Sequence, residues 1–415
     1  MRIGIVGLGY VGLPLALAFG EAGHAVTGYD TDARRVERLG CGESDIEDVP
    51  AERLVALGDC FEPTTEVDAL GRCDAILICV PTPLANQREP DLSYVISAAR
   101  SIAEILVEGQ LVVLESTTYP GTTREQLQPL LEESGLRAGR DFHLAYSPER
   151  IDPGRADHTV ANTPKVVGGI TAACADRAEE LYAEITAEVV RVSSPEAAEL
   201  TKLLENIFRS VNIALVNELA QLTDLMSIDI WEVIDAAATK PFGFMRFEPG
   251  PGMGGHCLPI DPFYLAFKAR EHDFYTEFIE LAGKINQTQP LYCVQKIQRA
   301  LNDVGKPVKA SRVLLLGVSY KAGVGDLREA PALNIVRHLR ELGAEVSYHD
   351  PLVSEFREAG LRSVELAPAV ATSDAVAIVT AHPGVDYEAL VRDAALVIDF
   401  RGVSRGIEAD NLVRL

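Results

Sequence analysis

Apolar runs of strand length alternate with helical patterns over the first half of the chain. The segment RIGIVG at 2–7 is typical of a buried strand. A helical pattern, LPLALAFGEAG, follows it, and a second strand pattern, HAVTGYD, ends at Asp30. Further strand patterns occupy 73–83, 110–122, 166–169 and 188–193, with helical stretches at 91–107 and 174–187. This alternation predicts an α/β fold with a doubly wound parallel sheet, whose ligands bind at the carboxyl ends of its strands.

The same alternation returns near the end of the chain. A strand pattern, SRVLLLGVSYKA, begins at Ser311, and a helical pattern, PALNIVRHLRELGA, leads to a second strand that ends in Asp350. Two more strand patterns follow at 375–380 and 395–400. The pattern therefore predicts a second Rossmann-like domain.

A long helical pattern separates the two α/β regions. Residues 194–226 repeat apolar side chains at helical spacing, at Leu200, Leu203, Leu204, Ile207, Val211, Ala214, Leu215 and Leu219. At a rise of about 1.5 Å per residue this helix would exceed about 40 Å, enough to join two domains and offer a face for self-association. We predict three domains: 1–195 binding a dinucleotide, 196–300 helical, and 301–415 Rossmann-like.

A glycine-rich turn follows the first strand. Gly7, Gly9 and Gly12 form G-x-G-x-x-G between a strand and a helix, and Asp30 lies 18 residues after Gly12. This spacing is typical of a dinucleotide site, in which the acid accepts hydrogen bonds from the ribose. Asp30 favours NAD, whereas the nearby Arg34 and Arg35 keep NADP open. The alternative is an ordinary glycine turn in an α/β domain.

Polar side chains at other strand ends have two interpretations each. Thr82, Ser116, Thr117 and Thr118 could contact a ligand or cap helices. Lys321 and Arg328 replace the glycine motif in the second Rossmann-like domain, which suggests a second, anionic ligand or simply two solvated cations. Lys202 and Asn206 share one face of the long helix and could be functional or only exposed.

A single cysteine lies among glycines and prolines in GPGMGGHCLPIDP, residues 250–262. Glycine permits positive φ and close approach, whereas proline fixes φ, so the segment suggests a shaped loop that places the thiol of Cys257. An ordinary turn is the alternative.

Composition narrows the class of protein. The chain has 415 residues, 38 Lys and Arg against 61 Asp and Glu, and a net charge of −23, which disfavours nucleic acid and anionic membrane as partners. Seven cysteines include no C-x-x-C pair, so we predict no disulfide framework, no metal site and a cytoplasmic location. The apolar first twenty residues fit the strand and helix described above better than a signal peptide.

Taken together, the motifs resemble one family. The segments GLGYVGLPLA, VPTP, ESTTYPGTT, SPERIDPG, TKLLENIFRSVNIALVNELA, GPGMGGHCLPIDP and GVSYKAGVGDLREAP are similar to those of nucleotide-sugar 6-dehydrogenases, the UDP-glucose/GDP-mannose dehydrogenase family. The resemblance covers nearly the whole chain and is greatest to the UDP-N-acetylglucosamine 6-dehydrogenase branch. It implies oxidation of the C6 alcohol of a UDP-sugar to a carboxylate with two NAD⁺, and two Rossmann-like domains joined by a long helix. It also implies a homodimer or a higher homo-oligomer.

The resemblance also implies roles for individual residues. Cys257 matches the nucleophile, which holds the aldehyde as a thiohemiacetal and then a thioester. Lys202 and Asn206 match groups that stabilise the oxyanion, Asp261 and Thr117 match groups that hold the catalytic water, and Glu149 matches a candidate base. The implied cofactor contacts are Gly7, Gly9, Tyr10, Val11, Gly12, Asp30, Arg35, Pro81, Thr82 and Thr117. The implied substrate contacts are Glu149, Arg150, Lys202, Asn206, Gly254, Lys321 and Arg328.

Departures from the UDP-glucose branch shape the choice of sugar. Pro153 replaces an acid, with Asp152 one position earlier, and Ile260 replaces a lysine. Pro241 replaces an arginine that reaches the neighbouring subunit's ligand, a role that Lys240 or Arg246 could take. We expect UDP-N-acetylglucosamine as substrate and a surface polysaccharide as destination.

Four alternatives stay open: UDP-N-acetylmannosamine or UDP-glucose as the sugar, a two-electron hydroxyacid dehydrogenase, and a non-enzymatic NAD-binding regulator. The last two are disfavoured because Cys257 and the second Rossmann-like domain would serve no purpose in the former, while the latter should have lost some of the catalytic set.

Overall fold

A computed structural model describes residues 1–44, 46, 49–85, 89–150, 159–255 and 260–415. Cys257, Asp152 and Pro153 lie outside the described residues. The chain forms two compact units. The first unit comprises Met1–Glu205 and Phe263–Tyr275, and the second comprises Asn206–Pro262 and Thr276–Leu415. The three-domain boundaries given above stay a prediction.

The first unit is an eight-stranded sheet with helices on its faces. Its elements are β1 (Arg2–Val6), α1 (Gly12–Glu21), β2 (Ala25–Tyr29), α2 (Ala33–Gly40), α3 (Ala51–Ala56), β3 (Phe61–Thr64), β4 (Ala75–Ile78), α4 (Ser93–Ile105), β5 (Leu111–Leu114), a π-helix (Thr122–Leu127) that continues into α5 (Gln128–Glu132), β6 (His143–Tyr146), β7 (Lys165–Gly169), α6 (Ala172–Tyr182) and β8 (Val189–Arg191). The strand order is β3-β2-β1-β4-β5-β6-β7-β8.

This order contains the Rossmann arrangement over its first six strands. Every neighbouring pair is parallel except β6–β7, which is antiparallel. Strands β4 and β5 are buried along their whole length because apolar clusters cover both faces of the sheet. The order reverses between β1 and β4, so a ligand is expected outside the carboxyl ends of these two strands.

Helix α7 (Pro195–Met226) has 32 residues and agrees with the predicted helix at 194–226. The second unit also contains α8 (Ile230–Ala238), α10 (Glu277–Asp303), β9 (Arg312–Leu316), α11 (Pro331–Glu341), β10 (Glu345–His349), the hairpin β11 (Glu355–Phe356) and β12 (Leu361–Arg362), α12 (Leu366–Thr372), β13 (Ala375–Ile378), α13 (Tyr387–Asp393), β14 (Val397–Asp399) and β15 (Leu412–Arg414). Helix α9 (Asp261–Arg270) begins in the second unit and continues in the first.

The second unit is built on a five-stranded parallel sheet. Its order, β10-β9-β13-β14-β15, is the other common doubly wound arrangement and reverses between β9 and β13. The predicted fold class, two Rossmann-like doubly wound domains with a long central helix, is therefore confirmed.

Candidate active site

The turn after β1 allows a ligand to approach the backbone closely. Gly7 has a φ of +93°, which favours glycine, and its N–H donates to the Tyr29 carbonyl (2.8 Å). A Cβ on Gly12 would lie 1.9 Å from the Gly7 carbonyl oxygen, so only glycine lets α1 start this close to the strand. Among the described residues, a Cβ on Gly9 would meet nothing closer than Arg35, at 4.0 Å. The open backbone and the N-terminus of α1 fit a dinucleotide pyrophosphate.

Asp30 lies directly beneath this turn. One of its oxygens accepts the Leu8 N–H (2.8 Å) and the other accepts the Asp32 N–H (2.9 Å). The Arg35 guanidinium lies 3.6 Å from the same carboxylate. Carboxylate oxygens have four lone-pair sites, so the acid retains capacity for a ribose diol. Tyr10, exposed, and Val11, half-buried, complete the turn before α1.

The strand ends beside the turn are tied to one another. The Thr82 hydroxyl donates to the Thr117 carbonyl (2.8 Å), which joins the segments after β4 and β5. The phenol of Tyr264 in turn donates to the Thr82 carbonyl (2.8 Å). Thr117 itself is half-buried, and Pro81 is exposed. The hydroxyl of Thr82 therefore fixes the loop geometry, and Thr117 lies beyond the carboxyl end of β5, next to β4 in the sheet.

Glu149 and Arg150 follow β6 and are held by protein groups. The Arg150 guanidinium donates to the Pro164 carbonyl (2.6 Å) and pairs with Glu205 of α7 (2.7 Å). The Arg150 N–H donates to the Glu149 carboxylate (2.8 Å). Arg150 is thus already paired with a carboxylate, although the resemblance places it among the substrate contacts.

A buried ion pair lies behind Glu149. Lys165, 4% exposed, donates to Glu115 (2.6 Å), which is fully buried, and to the Pro148 carbonyl (3.2 Å). Its ammonium is also 3.9 Å from Glu149, and the Tyr182 phenol donates to Glu115. Burial raises the pKa of Glu115, and the ammonium opposes that rise. Burial works to lower the pKa of Lys165, but the two carboxylates raise it above its usual value.

Helix α7 carries two of the predicted catalytic side chains. Lys202, in the first unit, and Asn206, in the second, are both buried and lie one turn apart. Within the second unit the Asn206 amide donates to the carboxylate of Asp261, which is 2% exposed. The structure thus brings together two predicted site residues that are 55 positions apart.

The residues that flank segment 256–259, which contains Cys257, make defined contacts within the second unit. Gly255 has a φ of +93°, its N–H donates to the Arg328 carbonyl (3.0 Å), and a Cβ there would lie 3.0 Å from the Tyr320 ring. A Cβ on Gly254 would lie 2.7 Å from the Tyr320 Cβ. On the other side, Asp261 begins α9. Gly254 and Gly255 therefore allow the backbone to pack closely on Tyr320, which a residue with a Cβ would prevent.

An open cleft of about 1110 Å³ lies in the second unit at the carboxyl edge of its sheet. It is lined by Asp235, Glu248, Tyr320, Lys321, Ala322, Thr380, Ala381, Tyr387, Arg401, Gly402, Val403, Arg405 and Gly406. Lys321 was a predicted substrate residue. Arg401 and Arg405 follow β14 and were not singled out from the sequence, and neither was Tyr320. An arginine two residues after a strand end is the only signal that points to Arg401.

Three other predicted cations are already paired or lie apart from the cleft. Arg328 makes a two-pronged contact with Asp326, at 2.6 and 2.9 Å, and does not line the cleft. Arg246 pairs with Asp235 (2.6 Å) and Glu248 (3.0 Å). Lys240 is exposed, with its ammonium 5.0 Å from the centre of the Phe242 ring.

Three domain models of one protein family match successive parts of the chain. The NAD binding domain of the UDP-glucose/GDP-mannose dehydrogenase family matches residues 1–186, the central domain 196–288 and the UDP binding domain 314–405. The chain belongs to the UDP-glucose/GDP-mannose dehydrogenase family. It is an NAD-dependent UDP-sugar dehydrogenase, and the predicted cofactor NAD is confirmed.

Relatives of this dehydrogenase are named for several different sugars, N-acetylglucosamine and N-acetylmannosamine among them. It is 38% identical over 387 residues to the UDP-N-acetyl-D-glucosamine 6-dehydrogenase of Pseudomonas aeruginosa, covering 92% of this chain and 90% of that protein. It is 35% identical to the UDP-N-acetyl-D-mannosamine dehydrogenase of Pyrococcus horikoshii, covering 98% of this chain and 100% of that protein. The solved structure of a UDP-D-ManNAc dehydrogenase from Pyrococcus horikoshii superposes with a TM-score of 0.91 at 33% identity, covering 100% and 99% of the two chains.

The thiols of the dehydrogenase differ in accessibility. Cys41 and Cys60 are exposed, whereas Cys73, Cys79, Cys174 and Cys293 are buried. Burial raises the pKa of Cys73, Cys79 and Cys293 above that of an ordinary thiol. The described helices include none with the length and apolar character needed to cross a bilayer.

Glu199 of α7 is a buried carboxylate at the start of the π-helix that precedes α5. It accepts the N–H groups of Gly121 (2.6 Å) and Thr123 (2.8 Å) and the Thr123 hydroxyl (2.7 Å). These donors are backbone groups that a helix start leaves without intrahelical partners. Burial nevertheless outweighs them and raises the pKa of Glu199 from 4.5 to about 7. The folded protein therefore holds this proton more tightly than the unfolded chain does.

We expect this group to make folding less favourable as pH rises from about 4.5 to about 7, because the folded state binds the extra proton in that range. A shift of this size corresponds to about 3 kcal/mol. The measurement is the free energy of unfolding in urea at pH 5 and pH 8 for the unchanged chain and Glu199→Gln. The unchanged chain should lose about 3 kcal/mol relative to the variant over this interval.

Glu196→Gln is the matched control, one turn earlier on the same helix. Burial works to raise the pKa of Glu196, but hydrogen bonding to Arg124 holds it below its usual value. Of the groups that act on the pKa of Glu199, the charge of Glu196 has the smallest effect, and it raises that pKa. This variant should therefore show a pH dependence between pH 5 and pH 8 close to that of the unchanged chain and only slightly weaker. Parallel pH profiles for the unchanged chain and Glu199→Gln would contradict the expectation.

Proposed function

We propose that this dehydrogenase oxidises the C6 alcohol of a UDP-N-acetylhexosamine, UDP-N-acetylglucosamine above all, to the uronic acid in a four-electron reaction. The observation that carries the choice of sugar is the 38% identity over 92% of the chain to the Pseudomonas aeruginosa UDP-N-acetyl-D-glucosamine 6-dehydrogenase. Ile260 supports it, because the UDP-glucose branch has a lysine at that position.

We assign Cys257 to covalent retention of the aldehyde. NAD, when bound, accepts the hydride in each oxidation. After the first two-electron oxidation, the Cys257 thiolate adds to the C6 aldehyde and forms a C–S bond. The thiohemiacetal then loses a hydride from C6 and a proton from its oxygen, which leaves a thioester. Water attacks the thioester carbon, the C–S bond breaks, and the acid leaves while the thiol is restored.

The buried polar groups at the start of α9 fit the remaining steps. Asn206 contacts Asp261, and Asp261 is four residues from Cys257. This contact keeps the carboxylate oriented beside the cysteine segment, where it can hold a water. Lys202 supplies the cation that stabilises an oxyanion and favours the thiolate. Thr117 shares with Asp261 the proposed role of holding the catalytic water, and Glu149 is the proposed base for thioester hydrolysis.

The cleft of the second unit is the proposed site for the diphosphate of the substrate. Lys321, Arg401 and Arg405 line it on a chain whose net charge is −23. Arginine and lysine both bind phosphate oxygens, arginine in a two-pronged geometry. Asp235 and Glu248 also line the cleft, and Arg405 pairs with Asp235 (3.2 Å). Cations therefore outnumber carboxylates by three to two in this cleft of an acidic protein, a local excess that favours an anionic ligand.

A homodimer is proposed from the surface of α7. Large apolar side chains of this helix are exposed: Leu200, Leu204, Phe208, Leu215, Leu219, Leu222, Leu225 and Met226. An exposed apolar stripe of this length is typical of a protein–protein interface. A second copy of the chain is its proposed partner.

UDP-N-acetylmannosamine is the second candidate, because the Pyrococcus horikoshii structure named for that sugar superposes with a TM-score of 0.91. The test measures NADH formed per limiting sugar for UDP-N-acetylglucosamine, UDP-N-acetylmannosamine, UDP-N-acetylgalactosamine and UDP-glucose. Two NADH per UDP-N-acetylglucosamine, with slower turnover of the others, is expected. Preference for the mannosamine epimer would overturn the choice of sugar, and one NADH per sugar would overturn the role of Cys257.

A further inference from the structure

A buried histidine lies at the point where the strand order of the second sheet reverses. His382 is 2% exposed and follows β13. Its Nε2 lies 3.0 Å from Asp350 Oδ2 and 3.1 Å from Ser319 Oγ. Its Nδ1 lies 3.2 Å from the Gly323 backbone nitrogen. One ring therefore joins the segments that follow β9, β10 and β13.

The partners of the ring determine its protonation state. The Gly323 N–H can only donate, so Nδ1 must accept and carries no proton. Burial works to raise the pKa of Asp350, but hydrogen bonds from His382 and from backbone N–H groups hold it below its usual value, so the carboxylate is ionised. Nε2 must therefore carry the proton and donate. The ring is neutral, with a single tautomer that satisfies both nitrogens.

The histidine fixes both ends of a short segment, residues 319–323. Ser319, at its start, shares the Nε2 proton, and its own hydroxyl donates to the Lys321 carbonyl (2.9 Å). Gly323, at its end, is bound to Nδ1. Between them, Tyr320 and Lys321 line the cleft, and the Tyr320 ring also packs against Gly255. The side chain of His382 does not line the cleft, so it acts on a ligand only through this segment.

The first unit shows what the histidine changes. In both units a glycine with positive φ, Gly7 or Gly317, follows the first strand, and an acid, Asp30 or Asp350, accepts a backbone N–H from the turn at 2.8 Å. In the second unit the acid also accepts the N–H groups of Ser319, Leu352 and Val353 besides the imidazole of His382. The lone pairs of Asp350 are thereby occupied, whereas Asp30 retains capacity for a ribose.

We propose that His382 is a positioning residue that holds segment 319–323 in place and so presents Lys321 and Tyr320 to the diphosphate of the UDP-sugar. This rests on the proposed function, which places the diphosphate in the cleft. Thr380 and Asp350 also hold Ser319, and the Tyr320 N–H donates to the Asp326 carbonyl (3.0 Å), but His382 joins the two ends of the segment. Without the ring, we expect only a fraction of molecules to have Lys321 in the binding geometry. Apparent affinity falls by that fraction.

The test is calorimetric binding of UDP and, separately, NAD⁺ to the full chain and its variants. His382→Leu removes the contacts of the ring with Ser319 and Gly323, and also its contact with Asp350. We expect the Kd for UDP to rise about tenfold if the segment is ordered in about one molecule in ten. The NAD⁺ site is in the first unit, so the Kd for NAD⁺ should change less than about twofold. A twofold change corresponds to RT ln 2, which is smaller than the free energy of one hydrogen bond. His382→Gln retains a donor and an acceptor and should restore part of the UDP affinity.

His338→Leu is the matched control, because His338 is a half-buried histidine on α11 whose ring pairs with Glu341 (3.1 Å), away from segment 319–323 in the sequence. It should leave both affinities unchanged. If His382→Leu fails to fold, Ser319→Ala removes one contact of the ring and should weaken UDP binding several-fold, by about 1 kcal/mol. In steady state, KM for the UDP-sugar should rise more than kcat falls, which a general loss of structure would not produce.

Two results would overturn the proposal, and they are distinguishable from failure of the proposed function. Unchanged UDP affinity in a folded His382→Leu variant would show that the segment needs no clamp. Equal loss of UDP and NAD⁺ affinity would show a general structural role. If the unchanged chain itself fails to bind UDP, the proposed function fails and this inference fails with it.

Discussion

The variant Cys257→Ala should lose about 10³-fold or more of its rate of NADH formation from UDP-N-acetylglucosamine, since loss of a catalytic nucleophile typically costs this much. Without the thiol, the aldehyde has no covalent partner, and the second oxidation loses its thiohemiacetal. The measurement is kcat from NADH absorbance, with the number of NADH formed per sugar. Any NADH that still appears should approach one per sugar.

Binding should survive this change. Gly254 and Gly255 pack on Tyr320, and Gly255 is hydrogen-bonded to Arg328, without any contribution from the thiol. The Kd for UDP should therefore stay within about twofold, because these contacts of Gly254 and Gly255 are retained. Cys60→Ala is the matched control, since Cys60 is exposed and should leave kcat unchanged. Two NADH per sugar at an undiminished rate in Cys257→Ala would refute the covalent mechanism.

The largest expected effect on stability comes from Lys165→Met. Without Lys165, Glu115 must either stay ionised or take up a proton, and its side chain is fully buried. The Tyr182 phenol would still donate to it. Removing one partner of a buried ion pair costs about 3–5 kcal/mol. The free energy of unfolding in urea at pH 7 should fall by that amount, in the transition that belongs to the first unit.

A double variant and a surface pair provide the controls. Lys165→Met combined with Glu115→Gln removes both charges, so we expect much of the loss to be recovered. Lys306→Met breaks an exposed pair with Asp374 and should cost less than about 1 kcal/mol. If Lys165→Met costs no more than Lys306→Met, the buried pair contributes nothing and the assignment is wrong.

The spacing of apolar residues and the residues typical of turns were sufficient to predict the fold from the sequence. The first βαβ unit follows from an apolar strand, a glycine turn and an acid, and each of these is local along the chain. The central helix was predicted at 194–226 and observed at Pro195–Met226, because a long repeat of apolar positions outweighs any single residue. Helix α10 (Glu277–Asp303) falls mostly within the predicted helical region 196–300, but its bounds were not predicted, and Pro290 lies inside it.

Contacts between side chains that are distant along the chain could not be predicted from the sequence. Nothing local shows that Lys165 neutralises Glu115, 50 residues earlier, or that Arg150 is bound by Glu205. A cation that looks available in the sequence can thus be held by a carboxylate in the fold. Arg401 was missed for the opposite reason, because an arginine after a strand resembles an ordinary surface charge until the cleft beside it is seen.

His382 illustrates the same limit in the second unit. The sequence shows a strand that ends in an acid, Asp350, as the second strand pattern of the first unit ends in Asp30. Only the fold reveals that His382, 32 residues later, and four backbone N–H groups occupy that carboxylate. Equivalent positions in the two halves of the chain therefore have different chemistry.

Because most of the described thiols are buried, alkylation of Cys257 could be used to count active sites. Four of the seven cysteines are buried, and an alkylating reagent at neutral pH reacts with exposed thiolates. Replacing Cys41 and Cys60 by serine would remove the two exposed competitors of Cys257. Iodoacetamide uptake by that variant could then be plotted against remaining NADH formation, and the intercept would give the number of working sites per chain in any preparation.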